Sequence, residues 1–459
     1  MSALSTSELS SLLDARIECQ QKSSHAPLTD MQENWWRVTS KDGRAENTRL
    51  RAASIRILGH LDVGILRASV AYVIQRHESL RTRILVKDGT PFQIVDPVPP
   101  QVLELIRLPS APDTDHTAAE NYAREFFAQK VDLSLGPLLA VSLLSISARS
   151  HVLLIGLEHV VADGTSCAIL SNEIWAAYRQ LSTGASKPVL PPLPIQLSDY
   201  AIWQKMTHPL RKNRHEQFWI DRTRDSPRIE LPYKPIPRES ESDASAILHL
   251  PLGKSLSDAL LRAAQREGTP FQLLVLTVYL LSLSRWCTQN DFVIIFAHHG
   301  RYRRPELQNT IGYLAKALYF RIQVQEHETL HDLVARIHGE FVSIMIHQVF
   351  VPPLPTDCNL SFLFNWGGLS TYSARWSIEQ QRKAVPDLRI QPFDFREKSA
   401  AVFFPFFSQT PSGVVLTIHF RPDIIPRDDL ERLTRNMRFY AAQLVDDARV
   451  AVGSLDYIA

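Results

Sequence analysis

The chain has 459 residues, of which 45% are apolar and 21% are charged, as in an ordinary globular protein. The formal net charge of +2 gives no reason to expect binding to nucleic acid or to an anionic membrane surface. The longest apolar run, residues 271–286, is shorter than the roughly 20 residues of a membrane span, so a buried helix is predicted. The four cysteines are far apart and show no metal-binding spacing, and no signal peptide is visible. We therefore expect a cytoplasmic protein without a metal.

Residues 1–26 are polar and serine-rich and are predicted to be an N-terminal extension. Within it, Leu9, Leu12 and Leu13 cluster on one side of a candidate helix over residues 7–19. Two interpretations stay open, a frayed terminus or a small docking element for a partner.

After this extension, the first half of the chain is predicted to alternate helices and strands. The predicted elements are a strand at 55–58, a helix at 62–78, strands at 81–86 and 91–95, a helix at 118–129, paired strands at 137–146 and 152–157, and a helix at 165–181. Gly184 is placed to end the last helix. The proline-rich stretch 186–194 is the predicted boundary between an N-terminal lobe, residues 27–185, and a C-terminal lobe, residues 186–459.

The second half mixes the same elements. Helices are predicted at 199–206, 214–221, 256–264, 271–286, 330–345 and 428–444, and strands at 292–296, 313–322, 360–364 and 414–420. This pattern predicts two α/β or α+β lobes of comparable size.

The run from Glu158 to Gly164 follows a buried strand and precedes a helix. His159 is therefore placed on a turn, where an imidazole can take and return a proton near neutral pH. Asp163 is predicted to hold this turn, and Gly164 to supply backbone angles that other residues resist. Residues 76–83 have two interpretations: a charged helix end, or a segment whose buried arginine on the strand at 81–86, Arg81, pairs with Asp163 and locks the turn.

Several other chemistries lack their motifs. No GxSxG elbow and no phosphate-binding glycine loop occur. Cys167 is predicted to pack in the core, and Trp35 and Trp36 either pack there or form a pocket wall.

The order of the motifs is similar to that of the condensation domains of nonribosomal peptide synthetases, within the chloramphenicol acetyltransferase-like superfamily. The matching segments are residues 27–35, 76–83 (an RHExLRT type), 158–164 (HHxxxDG), 197–204 (DYAxWQ), 300–321 and 347–348. The resemblance covers about residues 27 to 459. It implies an α/β (α+β) fold of two chloramphenicol-acetyltransferase-like lobes in a V shape with a central substrate tunnel.

The resemblance also implies a function. His159 would be the catalytic residue, and an amine or alcohol acceptor would attack a thioester of phosphopantetheine. That arm is supplied by an acyl or peptidyl carrier protein, so no bound cofactor is expected. Because the resemblance takes up the whole chain, we expect a stand-alone, monomeric condensation enzyme of secondary metabolism, with a small-molecule or carrier-bound acceptor.

Three positions depart from the family pattern. Glu158 replaces the first motif histidine and is a candidate to bind an amine or to alter the basicity of His159. Lys316 and Ala317 replace an Asn-Thr pair, and the motif near residues 356–363 is barely recognisable, which indicates an atypical acceptor. Further substrate-binding candidates are Ser361, Asn365 and Trp366. Two alternatives stay open: an acyltransferase that uses acyl-CoA, and a catalytically silent recruitment platform.

Overall fold

The computed structural model describes residues 16–19, 25–39, 48–109, 116–227, 229–233, 246–352, 363–366, 385, 387–393 and 402–455. The chain divides into two compact units. Unit 1 comprises residues 1–210, 299–315 and 369–396, and unit 2 comprises residues 211–298, 316–368 and 397–459. The predicted division at residues 185 and 186 is therefore corrected, because the chain returns twice to unit 1 after first leaving it.

Nine α-helices lie in the described residues. They are α1 Asp30–Thr39, α2 Val63–Arg76, α3 Thr117–Ala128, α4 Gly164–Ser182, α5 Leu197–Thr223, α6 Lys254–Arg266, α7 Phe271–Cys287, α8 Leu330–His347 and α9 Arg427–Asp446.

The described strands number sixteen. They are β1 His25–Pro27, β2 Thr48–Arg49, β3 Arg51–Leu58, β4 Thr82–Lys87, β5 Thr90–Val95, β6 Glu104–Arg107, β7 Lys130–Val131, β8 Leu139–Ser147, β9 Ser150–Leu157, β10 Ala246–Pro251, β11 Asp291–His298, β12 Lys316–Gln323, β13 Leu363–Asn365, β14 Arg389–Pro392, β15 Phe403–Thr410 and β16 Gly413–Phe420.

Unit 1 is built around a five-stranded sheet of order β14-β3-β9-β8-β6, in which only the β6–β8 pair is parallel. Smaller sheets, β1-β5-β4 and β2-β7, belong to the same unit. Every residue of the central strand β9 is buried. A strand covered on both faces has a continuous apolar sequence, and this pattern predicted the strand at 152–157. The strand ends at Leu157, immediately before the turn that carries His159.

Helices α2 and α4 of unit 1 share an apolar core with this sheet. The N-cap of α2 is Asp62, whose carboxylate accepts the backbone N–H of Ile65 at 2.9 Å. Leu66, Val70 and Val73 of α2 are buried in the same cluster as Ile174 of α4. The predicted helical spacing over residues 62–78 is confirmed, with the helix ending at Arg76.

Unit 2 contains two three-stranded sheets, β10-β16-β15 and β12-β11-β13. A bridge between Trp366 and Phe407 connects them. Helix α7 is almost wholly buried against them, as predicted for residues 271–286. No single helix among the described residues is long and apolar enough to cross a membrane, although the bent pair α6 and α7 meets the length and composition criteria together.

Two predicted elements differ from the observed ones. The two short helices predicted at 199–206 and 214–221 are one helix, α5, which continues through Pro209. The strand predicted from Tyr313 begins only at Lys316. The amides of Leu314 and Ala315 donate to the Asp163 carboxylate, so they cannot pair with a neighbouring strand.

The N-terminal extension is described only at residues 16–19 and 25–26, so most of the helix predicted at 7–19 lies outside the described residues. Residues 16–19 are not helical. Ile17 is buried, and its backbone N–H donates to the buried Glu306 at 3.1 Å. This part of the extension therefore packs on the body of unit 1.

Candidate active site

The turn after β9 holds the candidate catalytic histidine. The residues His159–Val161 form a single 3₁₀ turn, and the His159 ring is partly exposed while Val160 and Val161 are buried. Nδ1 of His159 lies 2.7 Å from the carbonyl oxygen of Ala162. A carbonyl can only accept a hydrogen bond, so Nδ1 carries the proton and Nε2 is the basic nitrogen.

Two aromatic rings contact the His159 imidazole. Tyr313 stacks on it with ring centroids 4.2 Å apart and an interplanar angle of 26°. Trp35 meets it edge-on at 5.0 Å. Trp35 is therefore a wall of the site, one of the two interpretations that the sequence left open. Tyr313 was missed as a site residue, since the sequence placed it only in a strand and a family motif.

Glu158 is not positioned to bind substrate. Its side chain is 0% exposed. One carboxylate oxygen accepts the indole N–H of Trp35 at 2.8 Å, and the other accepts the backbone N–H of Val160. The prediction that Glu158 binds an amine is therefore corrected: this carboxylate caps the histidine turn and connects it to Trp35.

Asp163 is the N-cap of α4 and is buried, with a side chain that is 1% exposed. Its Oδ1 accepts both the backbone N–H and the hydroxyl of Ser166, each at 2.8 Å. Its Oδ2 accepts the backbone N–H groups of Leu314 at 3.1 Å and Ala315 at 2.9 Å. These bonds join the histidine turn to the segment that carries Tyr313.

The cationic partner of Asp163 is Arg301. The guanidinium donates to Oδ2 at 2.9 Å and to Oδ1 at 3.2 Å. Burial raises the pKa of the Asp163 carboxyl, but Arg301 and Ser166 more than offset this, so its pKa is lowered from the ordinary 3.8. Asp163 is thus held as a carboxylate.

The predicted pairing of Arg81 with Asp163 is wrong. Arg81 donates to the backbone carbonyl of Asp96 at 2.5 Å instead. Because Arg81 ends a 3₁₀ turn at the start of β4, its side chain stays with the neighbouring strand β5 and the residues after it. Arg301 lay inside a matching family motif, yet no signal in the sequence assigned it to Asp163.

Beside Asp163, the glycine that needs special backbone angles is Gly300 rather than Gly164. Gly164 is the first residue of α4 and does not have a positive φ. Gly300 has a φ of +73°, and a Cβ atom there would lie 1.7 Å from the carbonyl oxygen of Leu314. Only glycine fits this approach, which places Arg301 beside Asp163.

The remaining substrate-binding candidates belong to unit 2 or are not described. Asn365 ends β13 and is 7% exposed, and its Oδ1 has no hydrogen-bond partner among the described residues. Trp366 packs edge-on against Phe271 and stacks with Phe364, so it is part of the unit 2 core. Ser361 lies outside the described residues.

The described side chains give no support for a metal site or for thiol chemistry at Cys167. They contain no group of three or more His, Cys, Asp and Glu residues spaced to hold a metal ion. Burial, aided by Asp163, raises the pKa of the Cys167 thiol to about 12, so it stays protonated. This agrees with the predicted packing role of Cys167.

Comparison with known proteins establishes the family. The condensation-domain profile matches residues 22–351. The chain belongs to the condensation-domain family. It is 26% identical over 457 residues to tyrocidine synthase 3 of Brevibacillus parabrevis, a match that covers 96% of this chain and 7% of that protein. It is 25% identical over 442 residues to chondramide synthase cmdD of Chondromyces crocatus. This match covers 94% of this chain and 11% of that protein. The chain therefore spans only a small part of these relatives.

Solved structures share the fold. The X-domain in its complex with OxyB from teicoplanin biosynthesis has a TM-score of 0.78 at 22% identity, covering 97% of this chain and 99% of that one. The starter condensation domain of rhizomide synthetase in complex with C8-CoA has a TM-score of 0.74 at 16% identity. The match covers 95% of this chain and 98% of that one. The mixed α/β fold predicted from the motif order is confirmed as that of condensation domains.

Proposed function

We propose that this chain condenses an acyl thioester, carried on the phosphopantetheine arm of a carrier protein, with an amine or alcohol acceptor. Condensation domains work with such carriers and generally form amide bonds, which supports an amide as the product. The observation that carries the proposal is the 2.7 Å contact between Nδ1 of His159 and the carbonyl of Ala162, because it leaves Nε2 as the base.

In the proposed reaction the acceptor nitrogen or oxygen attacks the thioester carbonyl. Nε2 of His159 takes the proton of the acceptor, the new C–N or C–O bond forms, and the C–S bond breaks. The proton then passes to the departing pantetheine thiolate, so the enzyme returns to its starting state. Tyr313 and Trp35 hold the plane of the imidazole through their ring contacts.

Positioning supplies the rest of the rate in this proposal. A rigid turn keeps the base in one orientation. Orienting two bound reactants contributes more to the rate enhancement than proton transfer alone. The turn is fixed on one side by Glu158 and on the other by Asp163, both buried. Neither carboxylate transfers a proton in this scheme.

The test is mass spectrometry of acyl transfer. Acyl-pantetheine, acyl-carrier and acyl-CoA donors are mixed with pooled amines and alcohols, using the wild type and His159→Ala. We expect a product whose rate falls roughly 10²–10⁴-fold in the variant, as for loss of a general base. The matched control is His60→Ala, which removes an exposed histidine of the same unit. Equal rates in His159→Ala and His60→Ala would refute the proposed role.

The second candidate is a recruitment platform without catalysis. The similarity to an X-domain solved with OxyB favours it, because that fold serves as a protein-binding surface in that complex. Absence of product with every donor, in protein with native unfolding behaviour, would favour this alternative. Transfer from acyl-CoA alone would favour the CoA-dependent acyltransferase. The stand-alone and monomeric states, the cytoplasmic location and the absence of nucleic-acid and membrane partners stay predictions.

A further inference from the structure

Helix α1 begins with a capping box whose last member is Gln32. Thr29 precedes the helix, and its Oγ1 accepts the backbone N–H of Gln32 at 3.1 Å. In return, Oε1 of Gln32 accepts the backbone N–H of Thr29 at 2.9 Å. This pattern satisfies two N–H groups at the start of the helix. It uses only the oxygen of the Gln32 amide, so the amide nitrogen can donate to a partner elsewhere.

The partner of this nitrogen lies in the histidine turn. Nε2 of Gln32 donates to the backbone carbonyl of Val160 at 3.0 Å, across 128 residues of chain. Both residues are 0% exposed. The orientation of the amide follows from its two partners, because the N–H of Thr29 requires an oxygen and the carbonyl of Val160 requires a donor. Gln32 therefore ties the start of α1 to the residue that follows His159.

Two side chains fix the backbone of Val160. Its N–H donates to the carboxylate of Glu158, and its carbonyl accepts the amide of Gln32. The N–H and the carbonyl of one residue belong to two successive peptide groups, and each peptide group is planar. The first of these planes also contains the carbonyl of His159. The backbone that carries the imidazole is therefore held on both sides of Val160.

Trp35 adds contacts from the same face of α1. It lies three residues after Gln32, a spacing that places two side chains side by side on a helix. Its indole N–H donates to Glu158 at 2.8 Å, and its ring meets the His159 ring edge-on with centroids 5.0 Å apart. One helix thus contacts the turn at a backbone carbonyl, at a buried carboxylate and at the imidazole itself.

We propose that helix α1 orients the His159 base and that Gln32 is a positioning residue for the proposed reaction. Nδ1 of His159 meets the carbonyl of Ala162 at 2.7 Å only while the turn keeps its shape. The hydrogen bond at one ring nitrogen decides which nitrogen carries the proton. Releasing Val160 loosens this contact, so part of the population carries its proton on Nε2, the nitrogen that has to act as the base.

The catalytic part of this inference rests on the proposed function, whereas the orientation of the ring does not. Because Gln32 is 0% exposed, it cannot contact a substrate. Its loss should therefore lower kcat and leave KM unchanged. A residue that only stabilised the fold would lower the free energy of unfolding and change neither kcat nor the protonated nitrogen of His159.

The first test needs no catalysis. Nitrogen NMR in alkaline buffer shows which ring nitrogen of His159 carries the proton, and the signals missing in His159→Ala identify this ring. We expect the proton on Nδ1 in the wild type and partly on Nε2 in Gln32→Met, which keeps the length of the side chain and removes its amide. The matched control is Gln93→Met, which removes a buried amide that donates to the carbonyl of Pro27 at 2.7 Å. Its His159 signals should equal those of the wild type.

A second variant serves if Gln32→Met does not fold. Trp35→Phe keeps an aromatic ring beside His159 and removes the indole N–H that donates to Glu158. It should move the proton in the same direction and to a smaller extent. His159 signals identical to those of the wild type in the folded Gln32→Met protein, or in Trp35→Phe if only that variant folds, would overturn the proposal.

The second test is kinetic and uses a donor and acceptor pair that gives product with the wild type. Gln32→Met should lower kcat roughly 10- to 100-fold, the range expected when a reacting group is misplaced, with KM unchanged. Gln93→Met should change neither constant. Equal kcat values in the two variants would contradict a positioning role for Gln32. If the wild type gives no product with any donor, the proposed function fails, and the NMR comparison still decides whether α1 orients His159.

Discussion

Two groups of charged side chains illustrate opposite uses of electrostatics in this chain. In unit 1, Asp163 is buried and accepts six hydrogen bonds, two of them from Arg301. In unit 2, burial lowers the pKa of His215, and the basic side chains of His347, Arg214, Arg211 and Lys316 lower it further, to about 4. The first group pairs opposite charges within the protein. The second places basic groups of the same sign around one imidazole.

The difference bears on what substitution can reveal. Removing one member of a buried ion pair lowers the stability of the fold, because the other charge is left without a partner. A histidine whose pKa is lowered by burial and by neighbouring cations responds differently, since its effect on stability appears only as the pH falls. Stability measured as a function of pH should therefore separate the two groups.

The largest effect is expected for Arg301→Ala. It leaves the Asp163 carboxylate buried without its cation, which should lower the free energy of unfolding by about 3–5 kcal/mol. Urea unfolding at pH 7 measures it. Since the pKa of Asp163 lies below its ordinary value, the wild type should also lose stability as the pH falls below about 4, and this loss should shrink in the variant.

The matched control for this prediction is Arg81→Ala. Arg81 donates to the carbonyl of Asp96, away from Asp163. Losing one such hydrogen bond should lower the free energy of unfolding by about 0.5–1.5 kcal/mol. An equal cost for both arginines would mean that Asp163 does not depend on Arg301.

A second large effect is expected for Gly300→Ala. The added Cβ would lie 1.7 Å from the Leu314 carbonyl oxygen, so the backbone on one side must move. We expect the free energy of unfolding to fall by more than about 3 kcal/mol, which exceeds the strain of a left-handed residue alone. Thermal and urea unfolding should show it.

Gly268→Ala separates the clash from the backbone angle. Gly268 also has a positive φ, +59°, but no atom lies within 4 Å of its added Cβ. This variant should cost about 1–2 kcal/mol, the strain of the left-handed conformation itself. Similar losses at the two glycines would show that the loop beside Arg301 tolerates the methyl group.

A smaller effect is expected where Glu158 meets Trp35. Trp35→Phe removes the indole N–H that donates to Glu158 at 2.8 Å. Because the buried carboxylate then lacks one donor, the free energy of unfolding should fall by about 1–3 kcal/mol. Glu158→Gln weakens the same bond from the other side. A double-mutant cycle of unfolding free energies should give a coupling of about 0.5–3 kcal/mol. Additive losses would show that the two side chains act independently.

The sequence could predict the parts of the site that are contiguous. Residues 158–164 are one strand end, one turn and one helix start, so their roles follow from local rules. The burial of β9 and α7 followed in the same way from apolar runs. The family resemblance supplied the fold, which no local rule could.

The rest of the site depends on residues far apart in the chain. Arg301 lies 138 residues from Asp163, and nothing in its own neighbourhood specifies that partner. Tyr313 reaches His159 only because the segment 299–315 returns to unit 1. The choice of Arg81 instead of Arg301 shows the limit: a charge can be paired correctly only once topology has brought the candidates together.

The smallest effect concerns the pH dependence of His215. Its pKa of about 4 in the folded protein lies below the ordinary 6.5, so the unfolded chain takes up the proton first as the pH falls. Stability should therefore decline between about pH 6.5 and pH 4, by less than about 1 kcal/mol because water screens this half-buried ring. His215→Gln should remove that decline, and the difference between the two urea curves from pH 7 to pH 4.5 isolates it from other groups that titrate in both proteins. Parallel curves for the two proteins at every pH would show that neither burial nor the neighbouring cations lower the pKa of His215 in the folded protein.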